Sequence, residues 1–473
     1  MEDRMLNSDR KIDDNEGVVY KPLSFEKPEL LVTKKGGEKK ETLFLYFCAL
    51  TVNLITFVSG CSLVWSSPAI PKLKSSDPDI NPLGSPITAL QESWIAALPP
   101  LGATLGPLLT GKLADAYGRK KALILLAVLK MASYIVLAFA TDINLYYATR
   151  LLLGVAVGMN YAVLPSYVGE ICDDHNRGKF GCIMGLFLTT GVLYTIAVGP
   201  HVSLKLLTLS CAVPLIITIF CFLVIPETPV YLAATGKRKE ATKALMKLRG
   251  ITKEAAEKDM IHILHLIDES SKSSRGGLCI LQQIAGINAI MAFIEPIFNL
   301  TGSEIPPNIS SILVAVVQIL GIAVASVIVE KLGRKFLLLF STISCTLSLG
   351  TLGLYFYLKQ AEASYVKNIF WLPIASLIIF MLVFNIGLGP VPWALVSEMF
   401  PSNVKASAAS LATSFCGLSA FVVTFSFPFM MEFMGPAICF WMFGGVCLVG
   451  AIIIYFGVPE TKGKNIVEIQ KML

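Results

Sequence analysis

The chain has 473 residues, of which 54% are hydrophobic and 15% charged, and a formal net charge of +6. A soluble protein of this length carries about a quarter charged residues, so the balance excludes an ordinary soluble domain and points to a polytopic helical membrane protein. The positive balance does not imply a nucleic-acid partner, because the basic residues stand beside apolar runs, where membrane topology places them.

Residues 1–42 are rich in charge and lack an apolar core, so they read as a flexible cytoplasmic tail with no cleavable signal peptide. A membrane span needs roughly 20 apolar residues. Twelve runs qualify: 43–65, 93–113, 122–141, 146–168, 179–199, 203–225, 276–298, 310–329, 336–358, 369–396, 407–430 and 437–458. Six precede a polar block at 226–275 and six follow it. The expected organisation is a bundle over 43–225, a cytoplasmic helical linker over 226–275, a second bundle over 276–458 and a cytoplasmic tail over 459–473. Within the linker, Lys237–Leu248 and Thr252–Ile267 carry apolar residues at helical spacing and read as short amphipathic helices.

With the N-terminus inside, Lys112, Arg119, Lys120, Lys121, Arg177, Lys179, Lys331, Arg334, Lys335 and Lys405 all fall in short inner loops. Fewer basic residues fall outside: Lys72, Lys74, Lys205, Lys359 and Lys367. The bias places both termini in the cytoplasm of a multi-pass protein, expected in the plasma membrane. Asn299-Leu-Thr301 and Asn308-Ile-Ser310 fit the glycosylation sequon and share the outer loop between spans seven and eight. The cysteines lie mostly within apolar runs, without zinc or disulfide spacing, and read as packing residues. His262 and His265 lack a matching acidic or Cys partner and read as a solvated face; no metal and no cofactor are expected.

One charged turn organises the rest. Gly111-Lys-Leu-Ala-Asp-Ala-Tyr-Gly-Arg-Lys-Lys121 lies between two apolar runs, and Asp115, Gly118, Arg119 and Lys120 recur as Glu330, Gly333, Arg334 and Lys335 with the same offsets. Glu170 precedes Arg177 as Glu398 precedes Lys405, and Pro226-Glu-Thr is echoed by Pro459-Glu-Thr. Similar gaps between the copies argue for two homologous six-helix halves. Asp115, Glu170, Glu227, Glu330, Glu398 and Glu460, with Arg119, Arg177, Arg334 and Lys405, are the candidate ion pairs of a gate at the cytoplasmic mouth. Such pairs regain hydration on separation, so two packings can differ by only a few kcal/mol. Lys130, inside the third span, is expected to snorkel to the cytoplasmic face.

Central polar residues suggest a binding site. Gln282, Gln283 and Asn288 lie in an apolar span, where unpaired amides are costly. On an ideal helix Gln283 and Asn288 stand about 140° apart, so either the polar arc is broad or the helix loosens near Gly286. In the tenth span Gly387, Gly389, Pro390 and Pro392 weaken the helix. There Asn385, Gly389 and Trp393, each four apart, are expected along one stripe, with the indole available to stack on a ligand. No nucleophile–base pair, metal spacing or phosphate loop appears, so no enzymatic activity is expected.

These residues resemble the sugar porter branch of the major facilitator superfamily. The match includes Gly111–Lys121, Arg150 with Gly154, Pro165-Ser-Tyr-Val-Gly-Glu170, Pro226-Glu-Thr-Pro229, Gln282-Gln283 with Gly286-Ile-Asn288, Gly389-Pro-Val-Pro-Trp393 and Pro459-Glu-Thr461. Trp65-Ser-Ser-Pro-Ala-Ile-Pro71 and Ser93-Trp94 look most like the insect facilitated trehalose transporter-like group. The resemblance implies an all-α fold of twelve transmembrane helices in two pseudo-symmetric bundles. It also implies a sugar substrate and alternating access; the protein is expected to function as a monomer. On the family pattern the substrate residues fall at Gln282, Gln283, Asn288, Gln318, Asn385 and Trp393. The family's fifth-span glutamine falls on Gly185, and its eleventh-span asparagine–tryptophan pair falls on Cys416 and Gly417, which thins the sugar shell. The acid of its proton symporters falls on Ser62, and no Asp or Glu occurs from Thr42 to Ser76. The expectation is a facilitative uniporter of trehalose or a hexose, with a proton-coupled symporter and a non-transporting sugar sensor as alternatives.

Overall fold

The computed structural model describes residues 42–172, 177–253, 255–257, 277–302, 305–362, 364–392 and 402–457. Two compact units are distinguished, Met1–Lys39 and Lys40–Leu473; the first lies outside the described residues, and every described helix belongs to the second.

The first half runs α1 (Leu43–Val64), α2 (Ser66–Leu73), α3 (Ala89–Tyr117), α4 (Arg119–Ala138), α5 (Ile143–Ile171), α6 (Arg177–Val198) and α7 (Leu204–Cys221). Two short helices follow, α8 (Pro229–Ala234) and α9 (Arg238–Arg249). The second half runs α10 (Gly277–Ile284), α11 (Ile287–Ala292), α12 (Ile294–Thr301), α13 (Pro307–Leu332), α14 (Arg334–Gln360), α15 (Leu372–Ile386), α16 (Ser402–Phe433) and α17 (Gly435–Gly457). Local chemistry sets several starts. Thr42 caps α1 by accepting from Leu45 N, and Thr88 and Gln91 form a reciprocal capping box at α3.

Among the described residues nine helical segments are long and apolar enough to cross a membrane. The remaining spans depart from a plain apolar helix for identifiable reasons. Helix α3 holds Pro99, Pro100 and Pro107. The seventh span is three short helices, and the tenth is cut at Ile386. The first span, conversely, continues past Trp65 as α2, carrying Lys72 with it.

Among the described residues two large apolar cores result, with a small third one on Leu232, Ala241, Ala244, Leu245 and Ala256. One is built within the first half, on residues such as Cys48, Ile55, Leu126, Leu164 and Leu215, and takes in Leu248 of α9. The other centres on Ile290, Leu349, Phe380 and Phe443 but also takes Val64, Ile70, Ala96, Val192 and Ile196 from the first half. In a bilayer, apolar burial does not draw helices together; close van der Waals packing does. A Cβ on Gly60 would stand 2.0 Å from Leu188 O, one on Gly191 1.9 Å from Phe57 O, and one on Gly154 2.2 Å from Pro99 O. These contacts seat α1 on α6 and α3 on α5. Helix α9 buries Ala241, Ala244, Leu245 and Leu248 at helical spacing. It docks on α1 through Thr42 Oγ1, which donates to Leu248 O at 2.5 Å.

Candidate functional site

At the start of α4 the charged turn has a defined geometry. Gly118 holds φ +96° and ψ 159°, a conformation that essentially only glycine adopts. That bend presents Lys120 N to both carboxylate oxygens of Glu227, each at 3.1 Å. Glu227 therefore caps a helix N-terminus, where the backbone dipole favours an anion. A Cβ on Gly118 would stand 2.2 Å from Glu227 Oε2, so the absent side chain makes room for the cap. Arg119 Nε donates to Glu170 Oε1 at 3.0 Å, and Arg119 Nη1 to Ala114 O at 3.2 Å. The guanidinium lies over the Tyr231 ring, 5.4 Å from its centre. Thr228 Oγ1 donates to the second oxygen of Glu170, and Tyr167 OH to Pro226 O. The turn, the end of α5 and the Pro226-Glu-Thr-Pro229 motif thus form one hydrogen-bonded network.

Of the expected gate, Asp115 makes only a solvent-exposed ion pair and Glu227 hydrogen-bonds the backbone. Asp115 is exposed, and its oxygen lies 3.5 Å from Arg119 Nη1, a contact that water screens. Glu227 accepts from the backbone N–H groups of Lys120 and Thr228, and among the described residues no basic side chain hydrogen-bonds it. The second copy repeats the backbone geometry: Gly333 has φ +88° and ψ 149°. Arg334 opens α14 behind it. Glu398 and Glu460 lie outside the described residues. So do the side chains of Arg177, Glu330 and Lys405, whose helices are described.

The central polar residues gather at two broken helices. At Gly286, φ +87°, the seventh span breaks between α10 and α11. Of the two alternatives this is the loosened helix, and it brings Asn288 Nδ2 to donate to Gln283 Oε1. Gln282 Nε2 donates to Gly389 O at 3.0 Å, linking the two broken spans, while its buried Oε1 has no described partner. Gln318 Oε1 on α13 is likewise buried and unpartnered among the described residues. Asn385 is buried, donates to Met381 O at 2.8 Å and packs beside Gly321 of α13.

The expected stripe through Asn385, Gly389 and Trp393 does not form as a continuous helix. Helix α15 ends at Ile386, Gly387 leaves helical geometry, and Gly389 N bonds Phe384 O at 2.7 Å. Trp393 lies outside the described residues. Ser341 on α14 holds the break: its hydroxyl donates to Val383 O at 2.7 Å and accepts from Leu388 N at 3.0 Å. Sequence reasoning misses Ser341, because a serine in an apolar span carries no signal until its partner helix is known.

Among the described residues the first half contains two fully buried cations. Lys130 does not snorkel. Its Nζ donates to Ser59 Oγ at 2.5 Å and Ile55 O at 3.2 Å on α1. Asn160 of α5 joins them, donating to Thr56 Oγ1 and Ser59 Oγ at 3.3 Å each. A polar network across three helices offers the amine better partners than the long reach to water. Arg150 donates to Ile95 O at 3.1 Å and to Ser62 O at 3.0 Å. Its guanidinium lies over the Trp65 ring, 5.1 Å from the centre. Its described hydrogen-bond acceptors are two backbone carbonyls.

The thinned positions are packing contacts between the halves. A Cβ on Gly417 would lie 2.8 Å from Thr104 N and 3.0 Å from Pro100 O, so α16 rests directly on α3. A Cβ on Gly185 would lie 3.2 Å from Ile322 Cγ2 of α13. Cys416 is buried. Of the sequon residues, Asn299 is exposed on α12 and Asn308 half-buried at the start of α13.

Two discontinuous spans carrying buried and half-buried amides, on a helical frame with repeated charged turns, define a membrane transporter of the major facilitator fold. Residues 39–473 match the family model described as "Sugar (and other) transporter", and the chain belongs to that family, whose members are transporters rather than enzymes. It is 33% identical over 455 residues to the facilitated trehalose transporter Tret1 of Culex quinquefasciatus, covering 92% of this chain and 86% of that protein. To the Tret1 of Apis mellifera ligustica it is 32% identical, covering 89% and 87% respectively. It is also 32% identical to the Drosophila virilis Tret1 but spans only 48% of that longer protein. The fold matches the xylose transporter XylE from E. coli in a partially occluded inward-open conformation, with a TM-score of 0.76 at 22% identity over 90% of this chain and 100% of that one.

Proposed function

We propose that this protein is a facilitative sugar transporter, carrying trehalose or a hexose down its gradient by alternating access. Its termini would lie in the cytoplasm and its site would be a monomer's. The substrate class is that of the trehalose transporters to which the chain is similar. The amides support it. Gln282 and Gln318 each keep a buried oxygen without a described partner, and such an acceptor gains most from a ligand hydroxyl. Gln283 and Asn288 are paired to each other, and both amides can exchange that bond for sugar hydroxyls. Asn385 completes the set, and Trp393 is assigned to it from the sequence alone.

The observation that carries uniport over symport is the environment of Arg150. A proton carrier in the membrane needs an ionisable partner whose charge changes through the cycle. Arg150 instead bonds the carbonyl of Ser62, which has no acid to offer. In proteoliposomes holding a pH-sensitive dye, sugar entry without any change in internal pH is the expected result. Internal acidification in step with sugar entry would overturn uniport in favour of proton symport.

A further inference from the structure

Helix α9 carries five cations, Arg238, Lys239, Lys243, Lys247 and Arg249, against one acid, Glu240. Its C-terminal end is seated on the bundle. Lys247 Nζ donates to Val224 O, just past the end of α7, at 3.4 Å, and lies 4.4 Å from the ring centre of Phe44 in the first turn of α1. Arg249 Nη2 donates to Cys172 O, at the end of α5, at 3.4 Å. Large apolar side chains flank Lys247 and are open: Leu43 at the start of α1 is 89% exposed, and Phe220 and Leu223 at the end of α7 are 67% and 81% exposed. On a membrane protein such surface faces acyl chains, so the amine stands where that surface gives way to headgroups.

Lys243 and Lys239 continue from Lys247 along one stripe, about 6 and 12 Å away at 1.5 Å per residue. Both are exposed, and neither side chain has a hydrogen bond or ion pair among the described residues. On an ideal helix Lys243 stands about 160° from Ala241 and Leu245. Those two join Leu232 and Ala233 of α8 in the small core, and α8 lies against the charged turn through Tyr231 OH, which donates to Ala116 O at 3.1 Å. The lysine stripe therefore turns away from the turn and toward the rim of the bundle. Like charges four residues apart destabilise a helix, and an anionic surface relieves that repulsion. From this placement we infer that the Lys239–Lys243–Lys247 stripe of α9 is a docking surface for anionic phospholipid headgroups, and that it ties the segment between the two halves to the bilayer. In the orientation proposed above, the leaflet it meets is the cytoplasmic one.

The full chain is placed in nanodiscs of phosphatidylcholine alone and in discs with about one-fifth phosphatidylserine, then briefly acetylated and read by mass spectrometry. Lys239 and Lys243 should react about fivefold more slowly in the phosphatidylserine discs, with the protection lost at high salt. Lys253 is the reference, since Glu257 already lies 4.0 Å from its amine, and its rate should change by less than about twofold. Inorganic phosphate added to the neutral discs should protect neither stripe lysine. In detergent, added phosphatidylserine should raise the melting temperature of the parent, and the concentration for half the effect should rise about 30-fold in Lys239→Gln/Lys243→Gln. Lys247 is kept in that variant because it also seats α9 on the bundle. Lys205→Gln/Lys253→Gln removes the same charge elsewhere and should behave as the parent. Equal rates in the two kinds of disc, equal protection by inorganic phosphate, or an equal loss in the Lys205→Gln/Lys253→Gln control would overturn the docking surface. None of these readouts uses sugar flux, so the surface stands or falls apart from the transport reading.

Discussion

Replacing Gly118 with alanine tests the charged turn at its most constrained atom. Two costs combine. The backbone at φ +96° and ψ 159° lies in a region nearly closed to residues with a Cβ, at about 1–3 kcal/mol. The new methyl would also lie 2.2 Å from Glu227 Oε2, displacing the carboxylate from Lys120 N and losing a helix cap of about 1 kcal/mol. Together Gly118→Ala should cost about 2–4 kcal/mol. At roughly 2–4 °C per kcal/mol for a 150–250-residue domain, the melting temperature should fall about 4–16 °C. The assay is thermal unfolding of the purified protein in detergent, followed by intrinsic fluorescence. Gly84→Ala is the control: φ is +71° but nothing lies within 4 Å of its Cβ, so only backbone strain of about 1 kcal/mol applies. In a Glu227→Ala background the clash and the cap are already gone, and Gly118→Ala should cost about 1 kcal/mol less. Wild-type stability in Gly118→Ala, or strict additivity with Glu227→Ala, would refute the account of the turn.

Three other sites give checkable outcomes. Ser341→Ala strips both partners from the break in the tenth span and should cost about 1–3 kcal/mol, seen as a lower melting temperature; a neutral effect would mean the break is held by other groups. Lys130 should resist acetylation in the folded protein while the exposed Lys239 and Lys243 react, as read by mass spectrometry; early modification of Lys130 would restore the snorkelling orientation. Arg119→Ala removes a bond to Glu170 that spans α4 and α5, and should shift accessibility labelling of the Gly118 end; unchanged labelling would count against a gate there.

Much of the frame is legible in the one-dimensional pattern because its causes are local. An apolar run of span length, a charged turn and a glycine between acid and arginine are all short-range features, and Gly118 and Gly333 do share one backbone shape. The break at Gly286 is one of two alternatives in the sequence, and only the fold selects it. What escapes the sequence depends on partners remote in the chain. Lys130 resembles an interfacial lysine because Ser59 and Asn160, which hold it, come from other helices. The stripe from Asn385 fails because Gly387 approaches Leu337 O so closely that a Cβ would stand 2.4 Å away, a contact invisible without α14. Gly417 reads as a lost ligand, whereas its neighbours Thr104 and Pro100 show a seat for one helix on another.

The central claim is that the amides at the two broken spans carry sugar passively across the membrane. Entry of labelled trehalose and labelled glucose into proteoliposomes without a pH gradient tests it, with Gln283→Ala as the comparison. At least one sugar should equilibrate to equal concentrations inside and out, and the folded Gln283→Ala protein should not support that entry. No flux from folded wild-type protein, accumulation only under a pH gradient, or undiminished entry through Gln283→Ala would contradict it.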